Sequence, residues 1–334
     1  MKIWFPTIKV HSGSDVYVSR LASSLQRHGI ETVVTDFASL YEFVPFLLRY
    51  KRAPTGTDII HANSWYAFAF SRSSIPVVAT IHSPTLSPDF NKYKTASQRL
   101  YHQLFVKRNE HRSILNAALV TAVSNFTSSS SESVHAVSRI NTVYNYVDSG
   151  YFQPVKKLPY SPDRPFRLLY VGNLRYLKGA DLLEPIMKGL GSGFTLTATC
   201  GLRGNQVKPV ADNIRLVGRL DGIDLVKAYQ NADALLFPSR MEGFGLVALE
   251  AMACGTPVIA SNNSSIPEVI ENNHTGILCD TGNIESFIRA CLTLRNNPQL
   301  VSEYGKNARK RAVEMFSEDR IIKKYIELYR SVLR

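Results

Sequence analysis

Between Phe237 and Ile270 the chain reads FPSRMEGFGLVALEAMACGTPVIASNNSSIPEVI, its densest cluster of residues suited to chemistry. A strand is predicted to end at Phe237, a loop carries Glu242, Gly243, Phe244 and Gly245, and a helix is predicted to open at Leu246. Glycines at 243 and 245 allow backbone to approach a ligand closely, and the free N–H groups and dipole at a helix start favour an anion such as phosphate. Glu250 lies one turn into that helix, where a carboxylate can accept two hydrogen bonds from a vicinal diol such as a ribose. Glu242 precedes the glycines, so the two carboxylates bracket the phosphate position. Taken physically, this is a site for a phosphorylated sugar. The competing reading makes Gly243 and Gly245 turn residues and Glu250 a solvated helix position.

The elements that must position these residues follow from hydrophobic period. Short β-branched runs alternate with longer amphipathic stretches, the pattern of an α/β protein with parallel sheets covered on both faces. Strands are predicted at Lys2–Pro6, Glu31–Thr35, Asp58–His61, Val77–Ile81, Ala118–Ala122 and Ile140–Tyr144, and again at Arg167–Val171, Thr195–Thr199, Ile214–Val217, Ala232–Phe237, Pro257–Ala260 and Gly276–Cys279. Between the two sets, PVKKLPYSPDRP (154–165) holds four prolines and no apolar period, and reads as a stiff interdomain linker. The expected organisation is an N-terminal domain 1–153, that linker, a C-terminal domain 166–317 and a closing helix 318–334 that returns to the N-terminal domain. Three helices are predicted at the end, the first broken from the second at Asn297–Pro298, and Ser128–Ser131 reads as a loop or helix cap. Gly13, after the first strand, and His82, at the end of Val77–Ile81, fall at the carboxyl edge of the sheet, where such folds bind ligands.

The composition limits what this site can belong to. The 334 residues suit two domains, with 45% hydrophobic and 20% charged residues. No apolar run approaches the roughly 18 residues of a membrane span, and MKIWFPT reads as a first strand rather than a secretory signal, so a cytoplasmic location is expected. Cys200, Cys254, Cys279 and Cys291 have neither disulfide nor zinc spacing and are expected to be reduced and structural. A net charge of +12 favours an anionic partner without choosing one. HSGSDV after the first strand lacks the three glycines of a dinucleotide fingerprint, which disfavours a nicotinamide-dependent oxidoreductase. Basic and aromatic residues do not interleave as a nucleic-acid-binding module, which disfavours a nucleic-acid partner.

The segment from Glu242 to Glu250, followed by EAMACGTPVIAS and IPEVI, resembles the signature of retaining glycosyltransferases of family 4. DIIHANSW (58–65), VVATIH (77–82), VTAVS (120–124), VYNYVD (143–148) and VGNLRYLKG (171–179) extend the resemblance along most of the chain. It implies a GT-B fold, two Rossmann-like domains facing a central cleft, with a nucleotide-sugar donor held mainly by the C-terminal domain and no separate cofactor. The implied catalytic residues are His82, Glu242 and Lys178. Glu250 would hold the ribose, amides of Gly243, Phe244, Gly245, Leu246 and Val247 would meet sugar hydroxyls and phosphate, Lys178 would neutralise the diphosphate, and Gly13 would line the phosphate side. The family usually carries arginine where this chain has Asn173, leaving Arg175 to reach the diphosphate or Lys178 to act with less help. No DxD motif lies near either site, so transfer without a metal is expected. Retention would proceed by front-face attack, although the sequence leaves Glu242 open as a nucleophile. The implied acceptor is a saccharide or lipid-linked saccharide in polysaccharide biosynthesis.

One stretch links the charge to a place. From Lys92 to Arg112 six basic residues (Lys92, Lys94, Arg99, Lys107, Arg108, Arg112) stand against Glu110 alone, interspersed with Tyr93, Leu100, Tyr101, Leu104 and Phe105. FVPFLLRYKR (43–52) repeats the combination. Amphipathic basic segments bind anionic leaflets, so a peripheral position at the inner face of a membrane is expected, against the alternative of a solvated basic helix packed by its aromatic face.

Overall fold

The computed structural model describes residues 1–10, 13–138, 140–156, 160–161, 163–200 and 209–334. They pack as two compact units: Met1–Asn145 with Glu318–Arg334, and Tyr146–Ser317. Unit 1 carries β1 (Lys2–Ile8), α1 (Gly13–Arg27), β2 (Glu31–Phe37), β3 (Ile59–Asn63), β4 (Val77–Ile81), α2 (Ala96–Tyr101), α3 (Lys107–Asn116), β5 (Leu119–Ala122), α4 (Asn125–His135) and β6 (Ile140–Thr142). Unit 2 carries β7 (Phe166–Tyr170), α5 (Ala180–Leu190), β8 (Phe194–Thr199), β9 (Ile214–Val217), α6 (Gly222–Asn231), β10 (Ala234–Phe237), α7 (Leu246–Ala253), β11 (Val258–Ser261), α8 (Ile266–Val269), β12 (Gly276–Cys279), α9 (Ile284–Asn296) and α10 (Pro298–Phe316). Helix α11 (Glu318–Val332) then packs in unit 1.

Each unit is built on a six-stranded parallel sheet, in the orders β2-β1-β3-β4-β5-β6 and β12-β11-β10-β7-β8-β9. Central strands such as β4 (VVATI) and β10 (ALLF) are buried along their whole length, as parallel strands covered on both faces must be. In each sheet the chain reverses direction once, between β1 and β3 in unit 1 and between β7 and β10 in unit 2. Such switch points splay the following loops apart and make room for ligands at the carboxyl ends of the strands.

The strands and terminal helices lie where the sequence places them, within a residue or two. Other expectations need correction. Ser128–Ser131 is neither loop nor cap but lies inside α4, whose cap is the Ser124 hydroxyl accepting from the Thr127 amide. Within the proline-rich stretch Pro154, Val155 and Lys156 are exposed, whereas Tyr160 is buried edge-on to Phe166 and Arg164 forks onto Asp233 at 2.6 and 2.8 Å. Lys94, counted above among surface charges, is buried, and its ammonium donates to the Thr85 carbonyl and the Asn91 side chain. Burial lowers its pKa to about 8.

Helix α11 is tied to unit 1 through a polar chain inside the core. His61 on β3 meets the Tyr329 hydroxyl through Nδ1 and Thr80 Oγ1 on β4 through Nε2, both at 2.6 Å, and Thr80 meets Thr121 on β5 at 2.7 Å. Tyr17 of α1 and Tyr325 of α11 join hydroxyls alongside. Each group would be costly to bury alone, so the chain is favourable only when complete. Burial, with a smaller contribution from His82, lowers the His61 pKa to about 3. Between that value and 6.5 the unfolded chain binds a proton that the folded chain refuses, so stability falls as pH drops through that window. The melting temperature should decrease from about pH 7.5 to about pH 5, and His61→Asn should flatten the decrease. A slope unchanged by the substitution would show that His61 does not contribute to it.

Candidate active site

The loops after β7 and β10 flank the switch point of unit 2, and buried charge fixes them to each other. The first loop ends in a tight turn, Tyr176–Lys178, closed by Gly179 at φ +71°. A Cβ at Gly179 would fall 2.1 Å from the Pro238 carbonyl oxygen, so only glycine lets the two loops approach this closely. Arg240, on the second loop, is buried. Its guanidinium donates to both carboxylate oxygens of Asp181, at 2.6 and 2.7 Å, and to the Tyr176 carbonyl, and lies 4.0 Å from the centre of the Tyr176 ring. The Arg240 amide donates to the Leu177 carbonyl at 2.9 Å.

That clamp brings Lys178 to Glu242. The ammonium donates to Glu242 Oε1 at 2.6 Å, and the buried Ser239 hydroxyl donates to the same oxygen at 2.7 Å. The Glu242 backbone is held as well, its amide donating to Ser264 Oγ and its carbonyl accepting from Ser265 Oγ. Lys178, expected to neutralise a diphosphate, is therefore half of an ion pair, with its side chain 32% and that of Glu242 12% exposed. Arg175 opens the turn, half-buried, with its carbonyl accepting from the Lys178 amide.

Gly245 precedes α7 with φ +103°, a conformation open to glycine, and offers no side-chain cap. The amides of Leu246 and Val247 in the first turn have no carbonyl one turn back to bond within the helix. Phe244 turns its ring into the core, edge-on to Phe316 at 5.6 Å, so only its backbone faces the loop. Helix α7 (LVALEAMA) is apolar on every side and buried from Ala248 to Ala253, and Glu250 is its one charged residue. The reading of Glu250 as a solvated helix position is thus corrected. A carboxylate buried there is tolerable only with partners, and the Tyr229 hydroxyl of α6 donates to its Oε2 at 3.0 Å.

His82 and Gly13 belong to unit 1. His82 follows β4, with the Tyr17 ring edge-on at 4.6 Å, and burial lowers its pKa to about 4, so it is neutral near pH 7 and suited to polar contact rather than proton exchange. Gly13 opens α1; a Cβ there would meet nothing within 4 Å, so packing does not require the glycine. Its neighbour Ser12 lies outside the described residues. Sequence reasoning missed Arg240, Asp181, Ser239 and Tyr229, because their roles arise from partners on other elements and carry no local spacing signal.

Comparison with known proteins bears on the family and the fold. Residues 34–151 match the family model Glycosyltransferase Family 4, and residues 206–311 match Glycosyl transferases group 1. The chain is 27% identical over 297 residues to a glycogen synthase of Mycobacterium tuberculosis, covering 83% of this chain and 69% of that protein. It is 30% identical over 233 residues to an N-acetyl-alpha-D-glucosaminyl L-malate synthase of Bacillus anthracis, covering 65% and 60%. Among solved structures, sucrose-phosphate synthase from Thermosynechococcus elongatus superposes with a TM-score of 0.86 at 22% identity over 99% of both chains. Anabaena HepE in complex with UDP-glucose gives 0.77 at 19% identity, over 99% of this chain and 100% of that one. One matched region lies in each half of the chain and the whole length shares the fold of these structures: the chain is a glycosyltransferase of family 4 type with the GT-B fold.

Proposed function

We propose that the protein transfers a hexose-type sugar from a nucleoside diphosphate donor to a saccharide or lipid-linked saccharide in glycan biosynthesis, with retention of configuration and without a metal ion. The observation that carries the reading is the Lys178–Glu242 ion pair, with Glu242 three residues ahead of the Gly245 turn that opens α7. A departing diphosphate needs fixed positive charge, and a lysine beside a helix N-terminus supplies it without a metal. As the bond from C1 to the leaving oxygen breaks, Lys178 shifts its hydrogen bonds from Glu242 to that oxygen. The acceptor oxygen bonds C1 from the same face and passes its proton to the leaving phosphate. Glu242 lies beside the sugar, Glu250 takes the ribose diol, Arg175 adds charge from the turn, His82 makes a polar contact to the reacting sugar and Gly13 lines the phosphate side. Binding of UDP-glucose by the similarly folded HepE supports a uridine nucleotide sugar as the first donor to try.

Anomeric-proton NMR of product formed with EDTA present should show the donor's configuration preserved; an inverted linkage, or no turnover until a divalent cation is restored, would overturn the reading.

The roles separate by mutation. Glu250→Gln, which keeps the shape of the buried helix, should weaken nucleotide binding about tenfold, because a neutral amide is a poorer acceptor for a diol. Lys178→Ala should lower kcat by about a hundredfold to a thousandfold with a smaller change in nucleotide affinity. Calorimetry with free nucleotide alongside steady-state kinetics checks both, and wild-type affinity in Glu250→Gln would remove the ribose assignment.

Unit 1 carries the surface for a lipid-linked acceptor. Phe43 (68% exposed), Phe46, Tyr50, Leu100, Leu104 and Phe105 are solvent-facing. The Phe43 and Tyr101 rings lie 6.4 Å apart and Tyr101 stacks on Phe105, so two segments distant in sequence meet as one apolar patch. Exposed Arg49, Lys51, Arg52, Arg99 and Arg108 accompany it, a combination suited to the headgroup region of an anionic leaflet. No described helix is long and apolar enough to cross a membrane. The protein should sediment with anionic but not neutral vesicles, release as salt is raised, and lose binding when Phe43 and Phe105 become serine. Equal recovery in the supernatant with both vesicle types at low salt would favour a soluble acceptor.

A further inference from the structure

Beside the segments that lead into β3 and β4, at the opposite ends of the strands from His82, unit 1 has a concavity of about 510 Å³. Its floor is apolar: Trp4, Ile60 and Phe70 are buried, and the Trp4 and Phe70 rings meet edge-on at 5.2 Å. Its rim is formed by Arg49, Lys51, Arg52 and Arg72, all exposed. Among the described residues none of these four has a carboxylate partner. Arg49 instead donates to the Tyr50 hydroxyl with its guanidinium 4.7 Å from that ring, and the Lys51 ammonium lies 5.7 Å from the Tyr41 ring. By contrast, exposed Lys9 is paired to Asp36 and exposed Arg27 to Glu318. Four uncompensated cations around one hollow repel one another, and an anion bound among them relieves that repulsion.

We infer that this hollow is a phosphate-binding site, separate from the donor site of unit 2. Three guanidinium forks match phosphate oxygens in pairs, and four charges are more than one carboxylate would need. The apolar floor lets the phosphate carry an apolar remainder. Two sources supply that chemistry, a soluble phosphate compound and the headgroup of an anionic lipid, and only the second rests on the docking surface proposed above.

Calorimetric titration of the full chain, at about 150 mM salt to screen diffuse attraction, uses two probes: inorganic pyrophosphate, and phosphatidylcholine vesicles containing phosphatidic acid. Saturable binding of at least one probe is expected. Arg52→Gln/Arg72→Gln should weaken it about tenfold or more, with an unchanged melting temperature and unchanged nucleotide affinity, while Lys178→Ala keeps it. Saturation by pyrophosphate alone assigns the site to a soluble ligand, and by vesicles alone to a lipid headgroup. Phe43→Ser/Phe105→Ser tests the docking surface separately, because it should reduce vesicle binding and leave pyrophosphate binding as it was. If neither probe saturates on wild type, or the double arginine variant binds both as wild type does, the hollow is a solvated basic surface and the inference is wrong.

Discussion

The guanidinium of Arg240 has to be buried for unit 2 to close, and the arrangement of its loops follows from where that charge finds its partners. Removed from water, it needs a bidentate carboxylate and an acceptor for its remaining hydrogens, and Asp181 and the Tyr176 carbonyl provide them. Those partners sit on either side of Lys178, so satisfying the arginine also fixes the lysine. The glycine at 179 removes the steric obstacle to the same approach. Lys178 and Glu242 thus meet as a by-product of a structural clamp.

Burial explains the second carboxylate in a different way. A helix as apolar as LVALEAMA goes inside on hydrophobic grounds alone and takes Glu250 with it. Tyr229 then limits the cost of the buried carboxylate through one hydrogen bond. The two glutamates are unlike in consequence: Glu242 lies in a loop among exchangeable donors, and Glu250 is held rigidly within the core.

Much of this was legible in the sequence, for reasons that differ by feature. All twelve strands among the described residues were, because parallel strands covered on both faces leave continuous β-branched runs such as VVATI and ALLF. Gly245 and the start of α7 were legible because their meaning is local backbone geometry. Arg240–Asp181, Tyr229–Glu250 and His61–Tyr329 were not, since each joins residues far apart in the chain and nothing in the local pattern of either marks the other. Lys94 was misread for a related reason: alternation of charged and apolar residues says which face a side chain should take only where the backbone is regular, and Lys94 directly follows the short turn Asp89–Tyr93. Ser128–Ser131 misled because serine's preference for caps and turns is weak against the tertiary packing that holds α4 in place.

Helix α11 completes a unit whose other residues lie at the far end of the chain, with the whole of unit 2 between them. Synthesis on the ribosome proceeds from the amino end, and domains generally fold as units once their residues have emerged. Unit 2 therefore has all its strands available while His61 still lacks the phenol of Tyr329 and Tyr17 still lacks that of Tyr325. The order of birth is reversed in the order of completion: unit 1 starts to emerge before unit 2 and is finished after it, and its sheet waits with an open polar core until α11 arrives.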